Sequence, residues 1–180
     1  MADIMTKEER SIRMSKIRSA STKPELAFRR AIWRLGFRYR VNEMHLPGKP
    51  DIVLPKYRTV VFVHGCFWHG HKCCRTSHIP ETNTDFWIAK ITRNQERDQE
   101  VWRQIEAKGW FVIVVWECEL KKADFSETIS RVETEIKRNG ELVNKRKEER
   151  MVSRAAYLME NKRRNEKVAS LLKELNHFSQ

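Results

Sequence analysis

Residues 60–74 read Val60-Val61-Phe62-Val63-His64-Gly65-Cys66-Phe67-Trp68-His69-Gly70-His71-Lys72-Cys73-Cys74. The first four are β-branched or aromatic, the pattern of a buried strand. That strand runs directly into a loop crowded with cysteine, histidine and two adjacent large aromatics. Shortly upstream, Pro50-Asp51 leads into a second apolar segment over 51–54. An acidic residue at the start of one strand and imidazoles at the end of its neighbour are the makings of a metal-dependent site.

Working outward, a third β-rich segment covers 37–42. Turn formers at Pro47-Gly48 and Pro55-Lys56-Tyr57-Arg58 separate the three segments, and their close spacing predicts an antiparallel meander. Residues 110–116 are nearly continuously apolar, which predicts a buried central strand. Thr22 and Glu25 have capping-box spacing for a helix reaching about Leu35, with Gly36 as its stop. A long helix is expected over 84–108, ended by Gly109. Asp124 or Ser126 caps another, ending near Asn139-Gly140. A second capping-box pair, Thr6 and Glu9, opens a basic N-terminal helix with a thin apolar stripe. The order αβββαβα implies an α/β domain, a mixed β-sheet flanked by helices. Beyond Glu141, apolar residues recur at helical spacing among dense charges, which predicts one or two amphipathic helices broken near 161–165. The chain thus divides into a basic arm (1–20), a core domain (21–140) and a charged helical extension (141–180).

The net charge of +12 and a pI near 9.8 attract polyanions, with nucleic acid the default partner. No stretch approaches the ~20 apolar residues that span a bilayer, which argues against a membrane role. Residues 1–23 are polar and charged, without the apolar core of a signal peptide, so a cytosolic location is expected. In a reducing compartment, clustered cysteine and histidine read as a metal site rather than a disulfide framework.

Cys66, His71 and Cys73 supply three zinc-type ligands from one loop, and Cys118, just past the 110–116 strand, supplies a fourth. Four protein ligands fill a tetrahedral ion, so this zinc is structural. Cys74 is read as a spectator. Asp51 suits Mg²⁺, which takes one or two carboxylates plus phosphate oxygens; an Asp after Pro is also an ordinary turn residue. His69 and His64 offer proton acceptors titrating near neutrality, and Asp98 on the long helix can orient such an imidazole. Phe67-Trp68, inside the ligand loop, is expected to project and wedge between base pairs. Phe86-Trp87 serves either the same role or core packing.

Together these residues resemble the very short patch repair (Vsr) DNA mismatch endonucleases. The resemblance rests on Arg10-Ser11 and Met14, on Leu46-Pro47-Gly48-Lys49-Pro50-Asp51, and on 64–69 with His71 and Cys73. It continues through Phe86-Trp87, Lys90-Ile91, Asn94, Glu96-Arg97-Asp98, Gly109-Trp110 and Val115-Trp116-Glu117-Cys118. It implies a restriction-endonuclease-like fold of the PD-(D/E)xK type, with zinc on Cys66, His71, Cys73 and Cys118. It implies Mg²⁺ at Asp51 and at the Val63 carbonyl, with His69 as general base oriented by Asp98. His64 becomes an auxiliary phosphate-contacting or acid residue, and Glu25 a helper near the water at the metal. Met14, Phe67, Trp68, Trp87, Lys90 and Asn94 become the DNA contacts. The missing E-x-K signature agrees with histidine chemistry in place of the usual lysine.

The activity implied is a single-strand cut 5′ of the thymine in a T·G mismatch, starting repair of deaminated 5-methylcytosine. The implied setting is a monomer on double-stranded DNA at the bacterial nucleoid, with other repair proteins as further partners. Two other readings keep the residues and change the job: a restriction or defence nuclease with relaxed mismatch dependence, and a non-catalytic binder of distorted DNA. Nothing in the family accounts for 141–180.

Overall fold

A computed structural model of the chain describes residues 6, 9, 12, 22–41, 43–72 and 74–177, with side chains to residue 168. The apolar run that opened the reading forms the middle of a three-stranded sheet ordered β1-β2-β3, with β1 at Ile52–Leu54, β2 at Thr59–His64 and β3 at Phe111–Trp116. β1 pairs antiparallel with β2, Ile52 opposite Val61 and Leu54 opposite Thr59. β2 pairs in parallel with β3, from Thr59 opposite Phe111 to His64 opposite Trp116. A parallel pair needs a crossover, and α2 (Thr84–Ala107) provides it. Two further helices are α1 (Lys23–Arg34) and α3 (Phe125–His177). The sheet is therefore mixed, as the element order implied.

Alternation along the strands sends side chains to two faces, and both are covered. Ile52, Leu54, Val61, Ile113 and Val115 pack with Phe28 and Ile32 of α1 and Val132 and Ile136 of α3. Val53, Val60 and Phe62 pack on the other face with Leu46 and with Ile105 of α2. This burial explains why β2 is apolar on both sides. α1 starts where the capping box put it: Thr22 is the N-cap, and its hydroxyl takes the Glu25 N–H at 3.5 Å. At the arm, Glu9 N–H bonds Thr6 Oγ1 at 3.2 Å and Thr6 N–H bonds a Glu9 carboxylate oxygen at 2.9 Å.

Four expectations change. The strand expected at the centre of the sheet from residues 110–116 is β3 at its edge, and β2 takes the central place. Among its described residues, the 37–42 segment contributes only the antiparallel bridge Arg40 to Val53. Phe37 and Tyr39 turn into the core beside Tyr57 and α1 instead of extending a ladder, and the Tyr39 hydroxyl donates to the Arg29 carbonyl at 3.0 Å. The expected stop at Asn139-Gly140 is absent, because α3 continues through it. Asn139 bonds the Thr59 hydroxyl at 3.2 Å, and a Cβ on Gly140 would come within 2.7 Å of the Tyr57 ring. That glycine is a close-approach residue, not a cap. The break near 161–165 is also absent; the segment is helical and carries an i,i+4 Lys162–Glu166 pair at 4.0 Å.

The chain divides into two units, Met1–Gly140 and Glu141–Gln180. The second is helix to His177, with Met151, Val152, Tyr157, Leu158 and Met159 exposed. Among the described residues no helix is long and apolar enough to cross a membrane.

Candidate active site and metal centre

Asp51 lies one residue before β1, where β1 and β2 diverge. Its Oδ2 accepts the Val63 N–H at 2.7 Å, replacing a backbone partner that the short strand no longer supplies. A strand residue's N–H and C=O point to the same side, so the Val63 carbonyl faces the Asp51 side as well. The first turn of α1 brings Glu25, whose Oε1 accepts the Thr22 hydroxyl at 3.0 Å. Arg29, one turn on, reaches both Glu25 Oε2 and Asp51 Oδ1 at 3.6 Å. Burial drives the Asp51 carboxyl up to about 6, and the Glu25 charge adds to the rise; the Val63 N–H and Arg29 oppose it. A buried carboxylate (Glu25) and a half-buried one (Asp51), with a backbone carbonyl beside them, form an oxygen donor set that suits a hard divalent cation.

At the end of β2, His64 stacks on His69, ring centroids 3.7 Å apart at 16°. Trp102 of α2 stacks at 5.9 Å, and Trp116 of β3 meets the His64 ring edge-on at 5.6 Å. His69 Nδ1 is hydrogen-bonded to Asp98 Oδ2, and Arg97 donates to Asp98 Oδ1 at 3.2 Å. Burial alone would raise Asp98; the His69 hydrogen bond, the imidazole charges and Arg97 overcome it and hold the carboxyl below its ordinary value. Occupation of Nδ1 by a carboxylate leaves Nε2 as the proton-accepting nitrogen. His64 is buried, its Nδ1 has no hydrogen-bond partner, and it lies 4.0 Å from Asp98 Oδ2. Burial, then the neighbouring His69, pushes His64 down to about 4, so it is neutral near pH 7. His64, His69 and Asp98 line a cavity of about 380 Å³ with Lys72, Gln95 and Trp102.

The loop after β2 folds back on itself: His69 N–H bonds the Gly65 carbonyl at 3.2 Å and His71 N–H bonds the Cys66 carbonyl at 2.9 Å. Gly70 makes this possible, with φ +61° and α2 so close that a Cβ would lie 2.5 Å from Gln95 Nε2 and 2.7 Å from Ile91. Gln95 also holds the loop by donating to the His69 and Gly70 carbonyls at 3.2 and 3.3 Å.

His71 lies flat on Trp116, centroids 4.1 Å apart at 3°, with its Nδ1 3.6 Å from Cys66 Sγ and 3.3 Å from Cys118 Sγ. Cys74 completes the group, and all four ligand atoms lie within 4.8 Å of one another. Three thiols and an imidazole at such spacing fit a tetrahedral zinc. Cys73 lies outside the described residues, whereas Cys74, expected as a spectator, joins the cluster. Burial and the neighbouring thiols push Cys118 up to about 12, while hydrogen bonds from Thr76 pull Cys74 down to about 6. A dication at the centre would hold all three as thiolates.

Phe67, Trp68 and Trp87 meet edge-to-face, at 5.1 Å from Phe67 to each tryptophan and 6.1 Å between the tryptophans. Phe86 stays exposed beside Trp87. Trp87, Lys90 and Asn94 follow at i, i+3 and i+7 on one face of α2. Asn94 is already engaged, donating to the Trp68 carbonyl at 2.8 Å. Met14 lies outside the described residues. Sequence reasoning missed Arg29, Gln95, Trp102 and Trp116. The i,i+4 spacing of Arg29 from Glu25 was the one available signal for it.

Comparison with known proteins gives a consistent result. Residues 2–75 match the family described as DNA mismatch endonuclease Vsr. The type II nicking enzyme V.NmeAIP of Neisseria meningitidis is 55% identical over 138 residues, covering 76% of this chain and 98% of that protein. V.XorIIP of Xanthomonas oryzae is 47% identical over 120 residues, 67% of this chain and 88% of that one. The DNA mismatch endonuclease Vsr of Escherichia coli is 41% identical over 121 residues, 67% and 77% of the two chains. With identity at that level across nearly the whole of a relative, and with the matched segment carrying the Asp51, His64 and His69 constellation, the chain belongs to the Vsr family of DNA mismatch endonucleases.

Proposed function

We propose that this DNA endonuclease nicks one strand of duplex DNA on the 5′ side of the thymine in a T·G mismatch, starting repair of deaminated 5-methylcytosine. The observation that carries the reading is the His69–Asp98 hydrogen bond in the loop after β2: His69 stacks on His64, the residue next to Val63, whose N–H Asp51 accepts. A base and an acidic metal-type group thus share one strand end.

Phe67, Trp68 and Trp87, expected to project but half-buried and packed on one another, form the wedge that opens the duplex beside the mismatch, since inserted rings unstack a base step at a cost of roughly a few kcal/mol. Met14, Lys90 and Asn94 contact the altered site. Asn94 does so while bracing the wedge loop through Trp68. Asp51 and the Val63 carbonyl hold Mg²⁺, with Glu25 beside them. When bound there, Mg²⁺ supplies positive charge for the phosphate oxygens and orients the attacking water. His69 Nε2 takes the water's proton, and Asp98 fixes the ring orientation and favours the imidazolium that results. His64, neutral and stacked on His69, contacts the phosphate or assists as an acid. Zinc on Cys66, His71, Cys118 and one of the Cys73-Cys74 pair braces the loop in the manner of a restriction-endonuclease-like scaffold. The +12 charge supports a partner rich in phosphate. The enzyme acts as a monomer, among other repair proteins at the bacterial nucleoid.

The test is single-turnover nicking of end-labelled duplexes that differ only in a T·G or a T·A pair, with Mg²⁺ present. The wild type nicks the T·G duplex in preference. Asp51→Ala, His69→Ala and Asp98→Asn each lower the rate by about 10²–10⁴-fold. Undiminished nicking by the first two would sink the mechanism, and equal cutting of both duplexes would favour the relaxed nuclease.

A further inference from the structure

Arg29 belongs to no motif, yet it occupies the centre of the acidic site. One nitrogen, Nη2, stands 3.6 Å from Glu25 Oε2 and 3.6 Å from Asp51 Oδ1. Each carboxylate gives its other oxygen to a neutral donor, Glu25 Oε1 to the Thr22 hydroxyl and Asp51 Oδ2 to the Val63 N–H. Glu25 Oε2 and Asp51 Oδ1 thus both face the same guanidinium nitrogen. At 3.6 Å these are ion pairs longer than hydrogen bonds. The Arg29 Nε is buried and has no hydrogen-bond partner. Charge, rather than directional bonding, is what ties this guanidinium to the carboxylates. A loosely tied positive charge between two acidic groups is in the place, and has the sign, of the cation those groups would otherwise share.

We infer that Arg29 is a built-in counter-cation: it neutralises Glu25 and Asp51 when no divalent ion is present and competes with that ion for them. It thereby sets how much Mg²⁺ the enzyme needs. The inference rests on the reading of Asp51 as the magnesium ligand and names a control on that site. A guanidinium cannot give up its charge, so the divalent ion must either displace it or bind against its repulsion. Arg29 acts through the carboxylates and is a positioning residue.

The experiment measures Mn²⁺ binding to the full chain by electron paramagnetic resonance, with Mg²⁺ competition, alongside thermal melting with and without Mg²⁺. The proteins are wild type, Arg29→Met, Arg29→Lys and Asp51→Asn; Arg29→Gln replaces Arg29→Met should the latter fail to fold. Loss of the charge is expected to tighten Mn²⁺ binding by about tenfold, and Arg29→Lys to stay within about threefold of wild type. The metal-free Arg29→Met melts lower than wild type, and its melting temperature rises more on adding Mg²⁺. A residue that was merely structural would lower the melting temperature without tightening metal binding. Unchanged or weaker Mn²⁺ binding in Arg29→Met, with binding still abolished by Asp51→Asn, overturns the role of Arg29 alone. Binding that survives Asp51→Asn overturns the magnesium assignment and this inference with it.

Discussion

At His64 and Asp51 the protein holds two titrating groups whose effects on stability run in opposite directions. His64 is pushed down to about 4 from 6.5, so it stabilises the fold above pH 6.5 and that stability is lost as pH falls through about 4. Asp51 is raised to about 6 from 3.8, so its stability is complete below 3.8 and is lost as pH rises through about 6. Each is worth about 3 kcal/mol by linkage, and over pH 4–6 they nearly cancel. Asp51→Asn should unmask the His64 part. Without added magnesium, its unfolding free energy from urea titration should fall as pH drops from 6.5 to 4, by about 3 kcal/mol relative to an Asp51→Asn, His64→Phe double variant, with a matching drop in the urea midpoint. Matching midpoints in the two variants would mean that His64 is not held neutral by burial. The sequence could nominate Asp51, His64, His69 and Asp98 as candidates because Asp51, His64 and His69 flank two neighbouring strands, and the structure brings His64, His69 and Asp98 together. Arg29 is one of 36 lysines and arginines, and its letter says nothing about lying between two carboxylates.

Among the elements, β2, β3, α2 and the start of α1 could be read from apolar runs and a capping box, since those signals are local. The two glycines at 70 and 140 could not, because what they permit is approach by a distant element. Gly140 looks like a helix stop and instead lets α3 pass Tyr57; Gly70 looks like filler and instead lets the ligand loop lie on α2. Gly70→Ala combines a left-handed φ of +61° with a Cβ driven against Gln95 and Ile91. It should cost about 1–3 kcal/mol and shift His69 relative to Asp98, lowering the nicking rate more than the melting temperature suggests. The proposed zinc clamp belongs to the same scale, since Cys118 follows β3 while Cys66, His71 and Cys74 belong to the loop after β2. Cys118→Ser should lose stoichiometric zinc by elemental analysis and unfold several degrees below wild type. Full zinc retention there would remove Cys118 from the ligand set.

For the molecule as a whole, charge and shape divide the work of recognition. A chain carrying +12 draws any duplex to it by releasing counterions, so affinity should fall steeply with salt whatever the sequence. Phosphate contacts are blind to a mismatch. On the proposed reading, discrimination comes from a wedge of Phe67, Trp68 and Trp87, because a T·G step is easier to open than a paired one. The two contributions should therefore separate experimentally. Between 50 and 200 mM salt, affinity for T·G and T·A duplexes should fall together, by roughly 10³–10⁵ if 6–10 phosphates are contacted. Their ratio should stay nearly constant. Trp68→Ala should do the reverse, collapsing the ratio while leaving the salt slope intact. Fluorescence anisotropy with both duplexes at four salt concentrations measures all of these. A ratio that decays in step with affinity would show that mismatch preference is electrostatic, and the wedge would lose its role. The extension 141–180 enters the same measurement. V.NmeAIP is matched over 98% of its length by 138 residues, 76% of this chain, so part of this chain lies outside that match. Replacing its exposed Arg150 and Arg154 with glutamine should flatten the salt slope if the helix touches phosphate, and should leave the T·G to T·A ratio where it was.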